Sequence, residues 1–234
     1  MNSILQANYT NFCFLDDVSV FLDRKNDRYH YVGQQQSEAL SRLEKINVNE
    51  KYTRPGINEY PEEVINDLIS KNLLTTQQSA GTPIRQTVHD KPISSVYDTF
   101  WSRNFSPKII TIMAAHYVLT RRHLKRETFF ETTRKAEKLK LKLKRHAIFR
   151  SNDVITEISR KLIDSRYFIY TYKDKCFFDS YLFFTYFNGI STPVEWVFGV
   201  NLCPFSAHCW VEYNGIVLND QFERVSAFTP IYII

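Results

Sequence analysis

Glycine is scarce in this chain, and the scarcity counts first against a Walker-type nucleotide site. Six glycines among 234 residues leave no phosphate-cradling loop of the Walker or dinucleotide-binding kind. Cysteine is confined to Cys13, Cys176, Cys203 and Cys209, with neither a CxxC pair nor the Cys/His spacing of a zinc site, so no metal is expected. Cys203 and Cys209 are close enough to invite a disulfide, but a free nucleophilic thiol argues for a reducing compartment, and the bacterial cytoplasm is the expected location. No apolar stretch reaches the roughly 20 residues of a membrane span; the run after Cys176 is broken by Asp179 and Asn188. The first ten residues lack the basic head and apolar run of a signal peptide. Internal repeats and low-complexity tracts are also missing.

What charge there is lies unevenly. The net charge is +5, yet between Arg121 and Arg145 eleven Lys/Arg face three Glu (Glu127, Glu131, Glu137), a local balance of +8 that leaves the rest at −3. Such a run is ordinarily one solvated face of a helix. Its functional alternatives are a nucleic-acid stripe, an anionic-lipid surface or a dock for an acidic partner. Leu139, Leu141 and Leu143 alternate with lysines in strand fashion although their flanks read as helical.

The last quarter carries the residues suited to chemistry. Cys176 opens an aromatic run, Cys176-Phe177-Phe178-Asp179-Ser180-Tyr181-Leu182-Phe183-Phe184, that ends at Asn188-Gly189. Asp174 stands where a helix N-cap belongs and Gly189 where a C′ residue belongs, which predicts Cys176 in the first turn of a buried helix. There the helix dipole favours thiolate over thiol. His208 lies in a predicted strand, Ala207–Tyr213; Asn214-Gly215 turns the chain, and residues 216–220 return as a second strand ending at Asp220. Taken singly, a Cys on an apolar helix is a small hydrophobe, a strand His a core residue, and Asp at a strand end a turn former. Together, a nucleophile on a helix, a base on a strand and an orienting carboxylate on the next form the parts of a cysteine-hydrolase triad. For His208 and Asp220 to share a face, the turn must be odd in length, Tyr213-Asn214-Gly215, with Glu212 opposite Ile216 and positive φ at Gly215.

The run Cys176…Phe198-Gly199-Val200…Pro204-Phe205-Ser206-Ala207-His208-Cys209-Trp210-Val211-Glu212…Gly215…Val217-Leu218-Asn219-Asp220 resembles the B protein of lasso-peptide biosynthesis, the leader peptidase of the microcin-type systems. The close likeness covers about a quarter of the chain. Cys209 departs from it, because relatives tend to carry a small residue there. The resemblance implies a transglutaminase-like cysteine-protease fold, with Cys176, His208 and Asp220 as catalytic residues. It also implies a precursor peptide as substrate, an asparagine-synthetase-like lasso cyclase as partner, and an ATP dependence. Hydrolysis itself needs no cofactor, and with no nucleotide loop in the sequence the ATP role is assigned to the maturation complex.

The N-terminal part has its own character. Residues 12–15, 18–22 and 28–32 read as short strands, with Asp16-Asp17 and Lys25-Asn26-Asp27 as turns. Gln34 to Ile46 reads as a helix with Ala39, Leu40, Leu43 and Ile46 on one side. Tyr60-Pro61-Glu62-Glu63 starts another, with Val64, Ile65, Leu68 and Ile69 as its apolar face. Strands followed by helices make a small winged-helix-like layout, similar to the peptide-recognition element of many peptide-maturation enzymes. Its last helix carries few basic residues, which counts against nucleic acid as partner. A leader peptide is expected to add as a strand beside Tyr29 and Tyr31, meeting Val64 and Leu68.

The expected whole is α+β: a winged-helix-like leader-recognition module at 1–80, a linker at 81–94 and a transglutaminase/papain-like cysteine hydrolase domain at 95–234 without a membrane span. Beyond residue 95 the chain is expected to turn helical through the basic segment, with a further amphipathic helix over 153–165. The function expected is removal of a precursor's leader during lasso-peptide maturation. A transglutaminase-like acyl transferase and a non-catalytic peptide-binding chaperone remain open beside it.

Overall fold

Alternating apolar and polar residues decide the first part of the architecture. In the computed structural model, which describes residues 4–49, 62–99, 103, 105–170 and 175–234, the chain divides into two compact units, Met1–Val88 and His89–Ile234. Strand β1 (Leu5–Ala7) leads into β2 (Thr10–Leu15), β3 (Val18–Asp23) and β4 (Arg28–Val32), the last three forming an antiparallel sheet with β4 at one edge. Asp16 and Asp27 sit in the turns at φ 52° and 51°, a left-handed conformation that Asp tolerates better than most residues. Phe12 stands opposite Phe21, and their rings stack at 4.9 Å.

Helices α1 (Gln34–Asn49) and α2 (Glu62–Ser70) follow, then β5 (Leu74–Thr75) and β6 (Gly81–Thr82), which flank β1 in a second sheet. The helices are amphipathic: Ala39, Leu40, Leu43, Ile65 and Leu68 join Phe12, Phe21 and Leu73 in the unit's core. Tyr60, Pro61 and the Ile46 side chain lie outside the described residues. Residues of the expected linker at 81–94 take part in structure, since Gly81–Thr82 pairs with β1 and the Thr87 amide donates to the Phe12 carbonyl at 2.8 Å.

In the second unit β7 (Ser94–Ser95) precedes α3 (Pro107–Leu124), α4 (Phe129–Leu143), α5 (Asn152–Arg166) and α6 (Cys176–Gly189). Strands β8 (Glu195–Leu202), β9 (Phe205–Tyr213) and β10 (Ile216–Val217), the short helix α7 (Phe222–Val225) and β11 (Thr229–Ile233) complete it. Its five-stranded sheet runs β11-β8-β9-β10-β7, with only β7 parallel to its neighbour. Among the described residues the helical stretch expected from Ser95 begins at Pro107; Ser94-Ser95 is recruited into the sheet by β10. The basic segment is helical on both sides of a break. Thr128 and Glu131 form a reciprocal capping box that starts α4, and the alternating leucines ride on that helix rather than on a strand.

Helix α6 is apolar nearly all round, with Leu182, Phe183, Phe184 and Phe187 fully buried, as suits a helix enclosed by the rest of its unit. It packs on the sheet, where Phe177, Tyr181 and Phe184 each lie within 5.6 Å (ring centroids) of Trp196. Among the described residues no helix is long and apolar enough to cross a membrane. The architecture is mixed α+β.

Candidate active site

Cys176 is the first residue of α6, so its thiol sits where the helix leaves main-chain N–H groups unpaired. The cap position is Lys175; Asp174, the expected cap, lies outside the described residues. At the other end Gly189 is the last helical residue instead of a C′ residue, and Ser191 takes the left-handed turn at φ 58°.

The structure brings Cys176, His208 and Asp220 together at one cavity of about 140 Å³, whose wall also includes Tyr97, Gln221 and Arg224. His208 Nε2 lies 2.5 Å from Asp220 Oδ2. This leaves Nδ1 to serve the Cys176 thiol, whose interaction with the ring helps to raise the imidazole. The second Asp220 oxygen accepts from the Gln221 amide at 2.8 Å, and the Asp220 carbonyl accepts from Ser95 Oγ at 2.6 Å. Strand β7 thus helps to hold the Asp220 main chain. The His208 ring is fixed by Phe228 at 5.2 Å and Trp210 at 6.0 Å. Gly199, opposite His208 on β8, admits the Trp210 ring: a Cβ there would come within 2.9 Å of it.

The route by which His208 and Asp220 meet differs from the expected one. Asn214 and Gly215 have φ 49° and 75°, and Ile216 pairs with Tyr213 and Val217 with Glu212, a two-residue turn. Positive φ at Gly215 is as expected; the three-residue register is not. A continued ladder would set Asp220 opposite Cys209 and away from His208. Strand β10 stops at Val217, however, and residues 218–220 bend. Asn219 turns inward to accept from the Val211 amide with Oδ1 at 2.8 Å, so its side chain replaces a ladder bond and the chain swings Asp220 to the histidine.

Electrostatics favour a charged pair. Cys176 is lowered to about 4, first by the hydrogen bond from the Cys209 thiol, against the opposing effect of burial, and then by His208. Burial disfavours the His208 imidazolium, but its bonds and charge interactions with Asp220 and Cys176 outweigh this and raise it. Asp220 is held below its ordinary value, because His208 overcomes the cost of burial. Cys209, wholly buried, is pushed well up by burial and then by its bond to Cys176. It stays a thiol that can donate.

The wall of the cavity also carries a network that pattern reading missed, formed by Asp179, Arg166, Asn219 and Tyr97. Asp179, one turn along α6 from Cys176, accepts from Arg166 Nη1 at 2.9 Å, Tyr170 Oη at 2.6 Å and Asn219 Nδ2 at 2.9 Å. Arg166 also donates to Tyr97 Oη. Asp179 and Arg166 are both buried, and removing one partner of such a pair costs about 3–5 kcal/mol. The network ties α5, α6 and the bend before Asp220 into one frame. The one available signal was a carboxylate inside an aromatic run.

His89, Glu195 and Glu212 present possible ligand atoms within 4.8 Å of one another. Both Glu212 oxygens are already engaged, by His89 Nε2 at 2.9 Å and by Trp210 Nε1, so this cluster reads as a half-buried histidine clasping a buried carboxylate. Of the expected leader contacts, Tyr31 is 64% exposed on the edge strand β4, Tyr29 is half-buried, and Val64 packs against the core. Leu68 is 0% exposed; it belongs to the unit's own core and presents no surface to a ligand, which corrects that expectation.

Comparison with curated proteins and with solved structures found no match. The family profile described as the transglutaminase-like superfamily matches residues 116–233, a stretch that contains α4, α5, α6 and the strands bearing His208 and the bend to Asp220. Domains of this kind are compatible with cysteine-protease or acyltransferase chemistry. By that match, over half its length, the chain belongs to the transglutaminase-like superfamily.

Proposed function

We propose that this protein is a cysteine peptidase that binds a ribosomally made precursor and cleaves off its leader during lasso-peptide maturation. The observation that carries the chemistry is the convergence of a low-pKa thiol at a helix start with a histidine held by a carboxylate at 2.5 Å. In this reading the Cys176 thiolate attacks the scissile carbonyl, and the His208 imidazolium protonates the departing amine. Water, deprotonated by His208, then hydrolyses the thioester. Asp220 keeps the ring oriented and stabilises its charged form. The Cys176 main-chain N–H is the first donor to the oxyanion.

Substrate capture is assigned to the N-terminal unit as a winged-helix-like recognition module (1–80, with 81–94 leading to the hydrolase at 95–234). The edge of β4, which carries Tyr29 and Tyr31, offers main-chain groups for an added strand, and Val64 of α2 is proposed to meet the leader's apolar side chains. The lasso assignment rests on the motif around His208 described above, and it brings the asparagine-synthetase-like cyclase as partner. No step here runs through ATP, and its role is proposed to lie in the complex with the cyclase.

The test is mass spectrometry of a small precursor encoded beside this protein, after incubation with the wild type and with Cys176→Ala. Leader loss with the wild type alone is expected; an intact precursor in both would overturn the assignment. The superfamily also favours acyl transfer as a second reading. Adding primary amines to the same incubation separates the two, because only a transferase yields the amide adduct in place of the free acid.

A further inference from the structure

The outer side of α4 and the turn after it play no part in the candidate site. The helix buries Thr132, Thr133, Ala136 and Leu143. Arg134, Lys135, Lys138, Lys142 and Arg145 therefore fall on one exposed stripe at ~3.6 residues per turn. Leu139 and Leu141, 39% and 60% exposed, flank that stripe. The chain leaves the helix through exposed Lys144, Arg145 and His146, then presents Ile148 at 50% and Phe149 at 77% exposure.

Most of this charge is not neutralised by the fold. Lys135 pairs with Glu127 at 2.6 Å, and Lys140 approaches Glu195 at 3.8 Å. Among the described residues, Arg134, Lys138, Lys142, Lys144 and Arg145 have no carboxylate within ion-pair distance. Cations of one sign and exposed aliphatic and aromatic side chains thus share a segment of about 16 residues.

We propose that this face, the outer stripe of α4 with the 144–149 turn, docks on an anionic lipid surface. Such a surface serves both halves of the patch: headgroup charge attracts the cations, and the interfacial layer accepts the side chains of Leu141, Ile148 and Phe149. A protein partner fits less well, because lysine, which supplies most of these cations, is depleted at protein–protein interfaces. A nucleic-acid duplex would take the charge but leaves the aliphatic residues in water. Attachment is peripheral, since no described helix can cross a bilayer.

The experiment is sedimentation of the full chain with phosphatidylcholine vesicles, with and without phosphatidylglycerol. Binding should require the anionic lipid and weaken as salt rises. The variant K138Q/K142Q/K144Q/R145Q should lose about fivefold in partitioning per cation removed. Phe149→Ser should lower binding to the anionic vesicles at low salt while leaving the slope of binding against salt unchanged, which separates apolar insertion from simple ion exchange. If the multiple variant unfolds, Phe149→Ser and the salt series on the wild type still decide the matter. Equal binding to neutral vesicles, no binding to either, or retention on duplex DNA that competes with the vesicles would overturn the proposal.

Discussion

At the scale of single residues, the site divides into groups that would do chemistry and groups that set their charge. Cys176→Ala and His208→Ala should each abolish leader cleavage, because nucleophile and base have no substitute in the cavity. Asp220→Ala should lose less than either, on the order of 10⁴-fold, since only ring orientation and imidazolium stabilisation go. Rate measurements on the purified variants check this; full activity in Cys176→Ala would end the assignment. Cys209 has a different part. Read from sequence it stood outside the triad pattern, yet its thiol is the first contributor to the lowered Cys176. Cys209→Ala should therefore raise the Cys176 pKa from about 4 and move the acid limb of iodoacetamide alkylation to higher pH. Cleavage should persist, because His208 still faces the sulfur. An unmoved alkylation limb would show that the Cys209 contact is absent in solution.

At the scale of elements, what could be read in the sequence was what neighbouring residues announce. The aromatic run starting at Cys176, the strand around His208 and the Asn214-Gly215 turn are local signals, and each has its counterpart in α6, β9 and the hairpin. The pairing register was misread because alternation governs a strand only while it lasts, and β10 lasts two residues. The bond from the Val211 amide to the Asn219 side chain, which ends the ladder, has no pattern to betray it. Arg166 and Asp179 stand 13 positions apart and Asp179 and Asn219 40 apart, so their meeting belongs to packing, and burial of opposite charges is not written in periodicity. The same holds for His89, which clasps Glu212 of β9 across 123 positions. Its pKa is raised, first by that bond, over the opposing effect of burial. A raised histidine stabilises fully below its unfolded value of ~6.5 and loses that contribution as pH climbs through the folded value. His89→Gln should cost about 2 kcal/mol in mildly acid solution, and less once pH passes the folded-state value. Thermal melts of wild type and variant across that range give the difference. A gap between the two curves that did not narrow with rising pH would contradict the clasp.

At the scale of the whole molecule, two units with separate cores imply that capture and chemistry can be damaged separately. Leu68 lies fully buried among Phe12, Phe21, Leu40 and Leu73, all within the first unit, while Cys176, His208, Asp220 and the Asp179 network lie within the second. Leu68→Ala removes buried methyl groups and leaves a cavity, at a cost of about 2–5 kcal/mol, a large share of what an 88-residue unit holds. The loss should fall on the sheet that carries β4, and so on leader binding measured by calorimetry with the full chain. The reactivity of Cys176 reports only on its own unit: its alkylation rate and pH dependence should match those of the wild type. In kinetic terms KM for the precursor should rise with little change in kcat, the sign that binding common to ground and transition states has gone. If Leu68→Ala shifted the Cys176 alkylation limb or lowered kcat with KM unchanged, the two units could not be energetically separate, and the division of labour proposed between them would fail.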